Sequence, residues 1–153
     1  MNKFMKIAYD EAEKGMRNSE GGPFGAVIAD QEGRVISQAH NQVLARHDPT
    51  AHAEIQALRI AGQVKKTHDM RGCVLYTTCE PCPMCLSAVI WANITEVVYA
   101  CDRQNADDIG FRDARLYEFF KKGRLAGLNF QQMDKEECLR LFIEYKNKNM
   151  EIY

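Results

Sequence analysis

No window of the chain approaches the roughly 18 uninterrupted apolar residues of a membrane-spanning helix. The N-terminal segment, MNKFMKIAYDEAEKGM, lacks the continuous apolar run of a secretion signal and is instead acidic and amphipathic. Both absences set the expectation of a cytoplasmic protein with no membrane partner. A surplus of one charge is missing as well. The 20 Lys and Arg face 21 Asp and Glu, a formal net charge of -1, so no global field draws in a phosphate backbone and nucleic acid is an unlikely partner. Repeats, low-complexity segments and linkers are also lacking, which makes a single domain over 1–153 the expected organisation. At 46% hydrophobic and 27% charged residues the chain can bury roughly 70% of the surface its unfolded form exposes, and a mainly disordered state is excluded.

What is present alternates between helical and extended patterns. Phe4, Ile7, Ala8, Ala12 and Met16 recur at helical spacing until Gly21, Gly22 and Pro23 stop the helix. Residues 24–30 and 34–41 read as two antiparallel strands around a tight turn. Asp48, Pro49 and Thr50 precede a helix whose first turn holds His52 and Glu54. A strand over 73–78 runs into a proline-broken segment, and a helix resumes with Cys82 and Cys85 at its opening. A strand at 94–101, a helix at 114–123, a short strand LNFQ at 128–131 and a last amphipathic helix complete the pattern. The expected fold class is α/β: a three-layer α/β/α sandwich around a mixed five-stranded sheet. The polar stretch 102–113, DRQNADDIGFRD, is the one long connection and a candidate specificity loop.

Six cysteines in a cytosolic chain of this size point to metal ligands plus buried thiols. The strongest motif is His52-Ala53-Glu54 followed by Pro81-Cys82-Pro83-Met84-Cys85. Two thiolates at a helix N-terminus and one imidazole suit zinc, and three protein ligands leave the fourth tetrahedral position to water, as in catalytic sites. Glu54, two residues from His52, is placed to act as general acid and base on that water and on a leaving amine. The combination of H-x-E with P-C-x-x-C is the known signature of zinc deaminases. A closed zinc knot, with Cys79 as fourth ligand, is the bland alternative; it leaves Glu54 without a task. Cys73, Cys101 and Cys138 lie in apolar patterns and read as inert thiols.

Beyond that core, GGPFGAVI (21–28), HN (40–41), DPTAHAE (48–54), CEPCPMCL (79–86), Trp91-Ala92, GFRD (110–113) and the final Tyr153 resemble bacterial guanine deaminases of the cytidine deaminase-like superfamily. The resemblance runs along nearly the whole chain. It implies one zinc per subunit on His52, Cys82 and Cys85, Glu54 as proton shuttle, and conversion of guanine to xanthine and ammonia. It further implies that Asn41 hydrogen-bonds the purine, that Phe24 packs on the base and that backbone around Ala53 meets the substrate carbonyl. Asp113 matches the second acid of the family's Gly-Phe-Asp-Asp segment, near the departing amine; Arg112 replaces the first, a departure from the pattern. Members are dimers, so the resemblance implies a homodimer in which the helical segment 132–153 is exchanged and Tyr153 closes the partner's pocket. Trp91 belongs either to the far wall of the pocket or to a subunit interface. Glu80 has no assigned role.

Read from residues alone, several of these positions have plainer uses. Asn41 suits a strand-end turn, Phe24 a core, Asp113 a helix cap and Tyr153 a frayed terminus. The rival activities are deamination of guanosine, of cytosine or of adenosine in tRNA; the rivals from other classes are a non-catalytic zinc module and a Cys82/Cys85 redox dithiol.

Overall fold

The structure is a computed structural model that describes residues 1–123 and 127–152. It falls into two compact units, Met1–Tyr117 and Glu118–Tyr153. The first contains α1 (Lys3–Arg17), β1 (Gly25–Ala29), β2 (Val35–His40), α2 (Val43–Arg46), α3 (Ala53–Lys65), β3 (Val74–Cys79), α4 (Pro83–Trp91), β4 (Glu96–Cys101), α5 (Arg103–Asp108) and the start of α6 (Asp113–Lys122). The second contains the end of α6 and α7 (Lys135–Asn147).

The four strands form one sheet in the order β2-β1-β3-β4, with β1 antiparallel to both neighbours and β3 parallel to β4. Strand alternation separates two cores. Val27 and Ala29 meet Phe4 and Ala8 of α1 on one face, while Ala26, Ile28 and Leu75 meet Ala53, Ala57 and Ala61 of α3 and Val89 of α4 on the other. All five residues of β1 are buried, as a central strand covered on both sides must be. The expected three layers are therefore present, α1 on one side and α3 with α4 on the other.

The expected fifth strand is corrected. LNFQ (128–131) is irregular, and the described residues hold four strands. Its two apolar side chains are exposed, Phe130 at 88%, and so short a segment has no strand state of its own without a ladder partner. The stretch 102–113 also differs from a plain loop. Asp102 accepts from the Asn105 N–H at 3.0 Å while Asn105 accepts from the Asp102 N–H at 3.0 Å, a reciprocal cap that starts α5. No helix among the described residues is long and apolar enough to cross a membrane.

Candidate active site

One end of the sheet carries the site. Phe24 precedes β1, Asn41 follows β2, Cys79 ends β3 with Glu80 just after it, and Asp102 follows β4, so four chain segments turn over the same end. The N-termini of α3 and α4 open onto it. His52 caps α3 with extended backbone, and Cys82 does the same for α4 with Pro83 at the first helical position, where a missing N–H costs nothing. Each helix thus presents its ligand residue beside unpaired N–H groups and the positive end of its dipole.

His52, Cys82 and Cys85 bring their ligand atoms within 4.8 Å of one another. His52 Nδ1 lies 3.7 Å from Cys82 Sγ and 3.5 Å from Cys85 Sγ. A tetrahedral zinc with bonds of about 2.0 Å to nitrogen and 2.3 Å to sulfur has an N···S edge of roughly 3.5 Å, so the donor set fits that ion. Its protonation fits too. The Cys82 thiol is held down to about 4, chiefly by the hydrogen bond from Cys85 and then by His52, while Cys85 is pushed up by that same bond and by burial. Such a pair needs a bound cation before both sulfurs can be anionic. Cys79 is outside the donor set; its Sγ faces the Asp102 carbonyl at 3.5 Å, and burial pushes its thiol up to about 12. Three ligands, not four, is the arrangement that leaves a position open.

Glu54 sits in the first turn of α3 and is buried. Burial pushes its carboxyl up from the ordinary glutamate range, and Thr77, fully buried on β3, donates to Oε1 at 3.2 Å. Around these groups lies a cavity of about 290 Å³, lined among others by Phe24, Asn41, Glu54, Cys79, Phe111 and Asp113. Asn41 is buried and its Oδ1 accepts from the Val43 N–H at 3.1 Å, which leaves the side-chain NH₂ as the group free to serve a ligand. Phe24 and Phe111 meet edge to face, with centroids 4.8 Å apart. Asp113, the first residue of α6, has its carboxyl raised by burial and then by the Cys82 charge.

The structure therefore brings Glu54, His52, Cys82, Cys85, Asn41, Phe24 and Asp113 together. Ala53 is fully buried between the two key residues of α3, outside the cavity lining, with a first-turn N–H that has no intrahelical partner. Trp91 is not brought to the cavity. It ends α4, 66% exposed, on a helix that also exposes Leu86 and Ile90. Tyr153 lies outside the described residues. In the sequence Phe111 stands out only as part of the GFRD segment, with no role of its own, and Thr77 only as a strand residue. An aromatic inside a polar connection was the available signal for Phe111, whereas Thr77 looks like any strand residue. Glu80, which lines the cavity, accepts from the Arg103 N–H at 3.1 Å and so ties β3 to the start of α5.

Three donors in an open tetrahedral corner beside a buried carboxyl define a zinc-dependent hydrolytic deaminase. The chain belongs to the cytidine and deoxycytidylate deaminase family, whose zinc-binding region matches residues 1–101. It is 41% identical over 145 residues to the guanine deaminase of Bacillus subtilis (strain 168), covering 94% of this chain and 92% of that one. The crystal structure of Bacillus subtilis guanine deaminase superposes with a TM-score of 0.89 at 40% identity, over 96% of this chain and 95% of that chain. A tRNA-specific adenosine deaminase of Aquifex aeolicus (strain VF5) is 42% identical over 97 residues, covering 63% of each protein.

Proposed function

We propose that the protein hydrolyses guanine to xanthine and ammonia in the cytoplasm. The observation that carries this reading is the likeness to guanine deaminase over 94% of the chain, beyond the shared metal core and through the segment that holds Phe111 and Asp113. The tRNA enzyme is similar over 63% of the chain, and a net charge of -1 offers no surplus for a phosphate backbone.

His52, Cys82 and Cys85 would hold zinc, which when bound would supply a water-derived nucleophile at neutral pH. Glu54 moves the protons: it takes one from the attacking water and passes it to the ring nitrogen, then takes the second from the newly added hydroxyl as the carbonyl forms and delivers it to the departing amine, which leaves as ammonia. Burial keeps its carboxyl able to carry a proton, and Thr77 fixes one oxygen in place. Asn41 donates its NH₂ to an acceptor on the purine edge, and the edge-to-face pair of Phe24 and Phe111 supplies an apolar wall against which the flat ring packs. Asp113, whose carboxyl burial raises above the ordinary aspartate range, lines the cavity and is assigned to the leaving amine. The Ala53 N–H is assigned to the substrate carbonyl.

The same reading makes the protein a homodimer. Leu86, Ile90 and Trp91 of α4 with Val98 and Tyr99 of β4 supply an exposed apolar surface, and Trp91 is assigned to it in preference to the pocket. The segment 132–153, whose α7 exposes Leu141, Phe142 and Ile143, is assigned to exchange between subunits, with Tyr153 closing the partner's cavity.

Ammonia release by zinc-loaded protein from guanine, guanosine, adenine, cytosine and tRNA tests the substrate, with Glu54→Ala as control. Release from guanine that the control lacks is the expected result. Release only from another compound moves the error to Asn41 and Asp113 and leaves the metal chemistry standing.

A further inference from the structure

His40 and Glu20 have no part in the chemistry above, yet their side chains join a hydrogen-bonded cluster that is buried at His40 and half-buried at Glu20. His40 is buried at the end of β2, immediately before Asn41. Both ring nitrogens face carboxylates: Nδ1 meets Glu11 Oε2 of α1 at 2.7 Å, and Nε2 meets Glu20 Oε2 at 3.0 Å. The same Glu20 oxygen accepts from Gln42 Nε2 at 2.8 Å, and the Glu20 carbonyl accepts from the N–H groups of Leu44 and Ala45 at 3.1 and 3.0 Å. Gln42 in turn donates its N–H to the Ala51 carbonyl at 2.9 Å, one residue before His52.

The cluster sits behind the substrate wall without reaching the cavity. The chain leaves Glu20 as Gly21, where a Cβ would fall 2.1 Å from Asn41 Oδ1, and Gly22, where it would fall 2.7 Å from the rings of both Phe24 and Phe111. The Asn41 N–H then closes on the Phe24 carbonyl at 3.0 Å. Loop 19–24 and the end of β2 are therefore seated on each other residue by residue, with Glu20 as the fastening. Hydrogen bonds of this kind exchange for bonds to water and give little net stability, so what they supply best is a fixed geometry.

We propose that Glu20 and His40 are positioning residues for base recognition. The Glu20 carboxylate latches loop 19–24 to His40 and Gln42, and the latch sets the spacing between the Asn41 NH₂ and the Phe24–Phe111 ring pair. The proposal rests on the reading of Asn41 and Phe24 as base contacts. It assigns the latch to substrate affinity and leaves the metal and Glu54 untouched, since neither residue lies in the donor set or lines the cavity.

The test compares zinc-loaded wild type with Glu20→Ala, Glu20→Gln and His40→Gln by zinc content, steady-state kinetics on guanine and amide hydrogen exchange. The expected result for Glu20→Ala is a KM raised about tenfold or more with kcat within about threefold and zinc content unchanged. Glu20→Gln, which keeps one oxygen acceptor, should recover part of the loss. Exchange at Leu44 and Ala45 should quicken about tenfold while the β3 amides stay protected. The milder glutamine variants keep the test open if Glu20→Ala fails to fold. Unchanged KM with unchanged exchange overturns the proposal, and so does a fall in kcat that tracks lost zinc. If wild type deaminates another base and not guanine, the substrate reading fails alone, and the latch is judged by the same split on that base. If no base is deaminated, the exchange result decides it.

Discussion

The cavity has two walls of different construction. The metal wall consists of two helix first turns, with all its donors within three residues of a helix start: His52 and Glu54 on α3, Cys82 and Cys85 on α4. The base wall is assembled from the ends of two antiparallel strands and from the 102–113 connection, placing Phe24, Asn41, Phe111 and Asp113 together across nearly ninety positions of sequence. Spacing within one helical turn fixes the first wall almost by itself. Long-range packing fixes the second, so substitutions there should change affinity while those in the first should abolish chemistry.

The largest effect is expected from breaking the donor set. Cys82→Ala removes the lowest-pKa sulfur and leaves one imidazole and one thiol that burial keeps protonated, so the variant should lose its zinc on dialysis and all measurable deamination with it. Metal analysis alongside ammonia release checks both. Glu54→Gln comes next. The amide can still accept from Thr77 but carries no proton, so kcat should fall by about a thousandfold, within the range for a general acid and base, with zinc retained. A variant that loses zinc and activity together would mean that Glu54 serves the metal wall as structure.

That contrast also explains what the sequence made legible. The H-x-E and P-C-x-x-C spacings are local, and the donor set follows from them because helix N-termini fix side-chain direction over one turn. The three layers were legible for the same reason, from periodicities in α1, β1 and α3. Phe111 was not, because its partner Phe24 is 87 positions away and no local pattern reports an edge-to-face contact across a cavity. Neither was the α5 cap, although Asp102 and Asn105 stand at the spacing of a reciprocal cap. The LNFQ segment shows the opposite failure: apolar residues at strand spacing, with no ladder to join.

On the base wall the effects should be graded. Asn41→Ala removes the free NH₂ and also the acceptor of the Val43 N–H. Losing one hydrogen bond to substrate costs about 1–3 kcal/mol, so KM for guanine should rise by roughly fivefold to 150-fold. Phe111→Ala removes one half of the ring pair, worth about 0.5–1.5 kcal/mol beyond buried area, and KM should rise roughly threefold to tenfold. Zinc content should not change in either. A fall in kcat larger than the rise in KM would merge the two walls into one functional unit.

The smallest effect on stability concerns the fastening behind that wall, and acid should release it. Hydrogen bonds from Gln42 and His40 hold the Glu20 carboxyl down to about 2, from an ordinary value of 4.5. A carboxyl depressed in the folded state contributes stability that is fully present above its unfolded value and is lost as pH falls through its folded value. The Tm difference between wild type and Glu20→Ala should therefore be constant above about pH 5 and shrink between pH 4.5 and 2. The metal wall gives a different acid signature, because protonating thiolates releases zinc, and a chelated sample removes that contribution. If the Tm difference persists unchanged to pH 2 in the chelated protein, the Glu20 carboxylate charge is not what fastens loop 19–24, and the neutral bonds from its backbone carbonyl to Leu44 and Ala45 carry the contact.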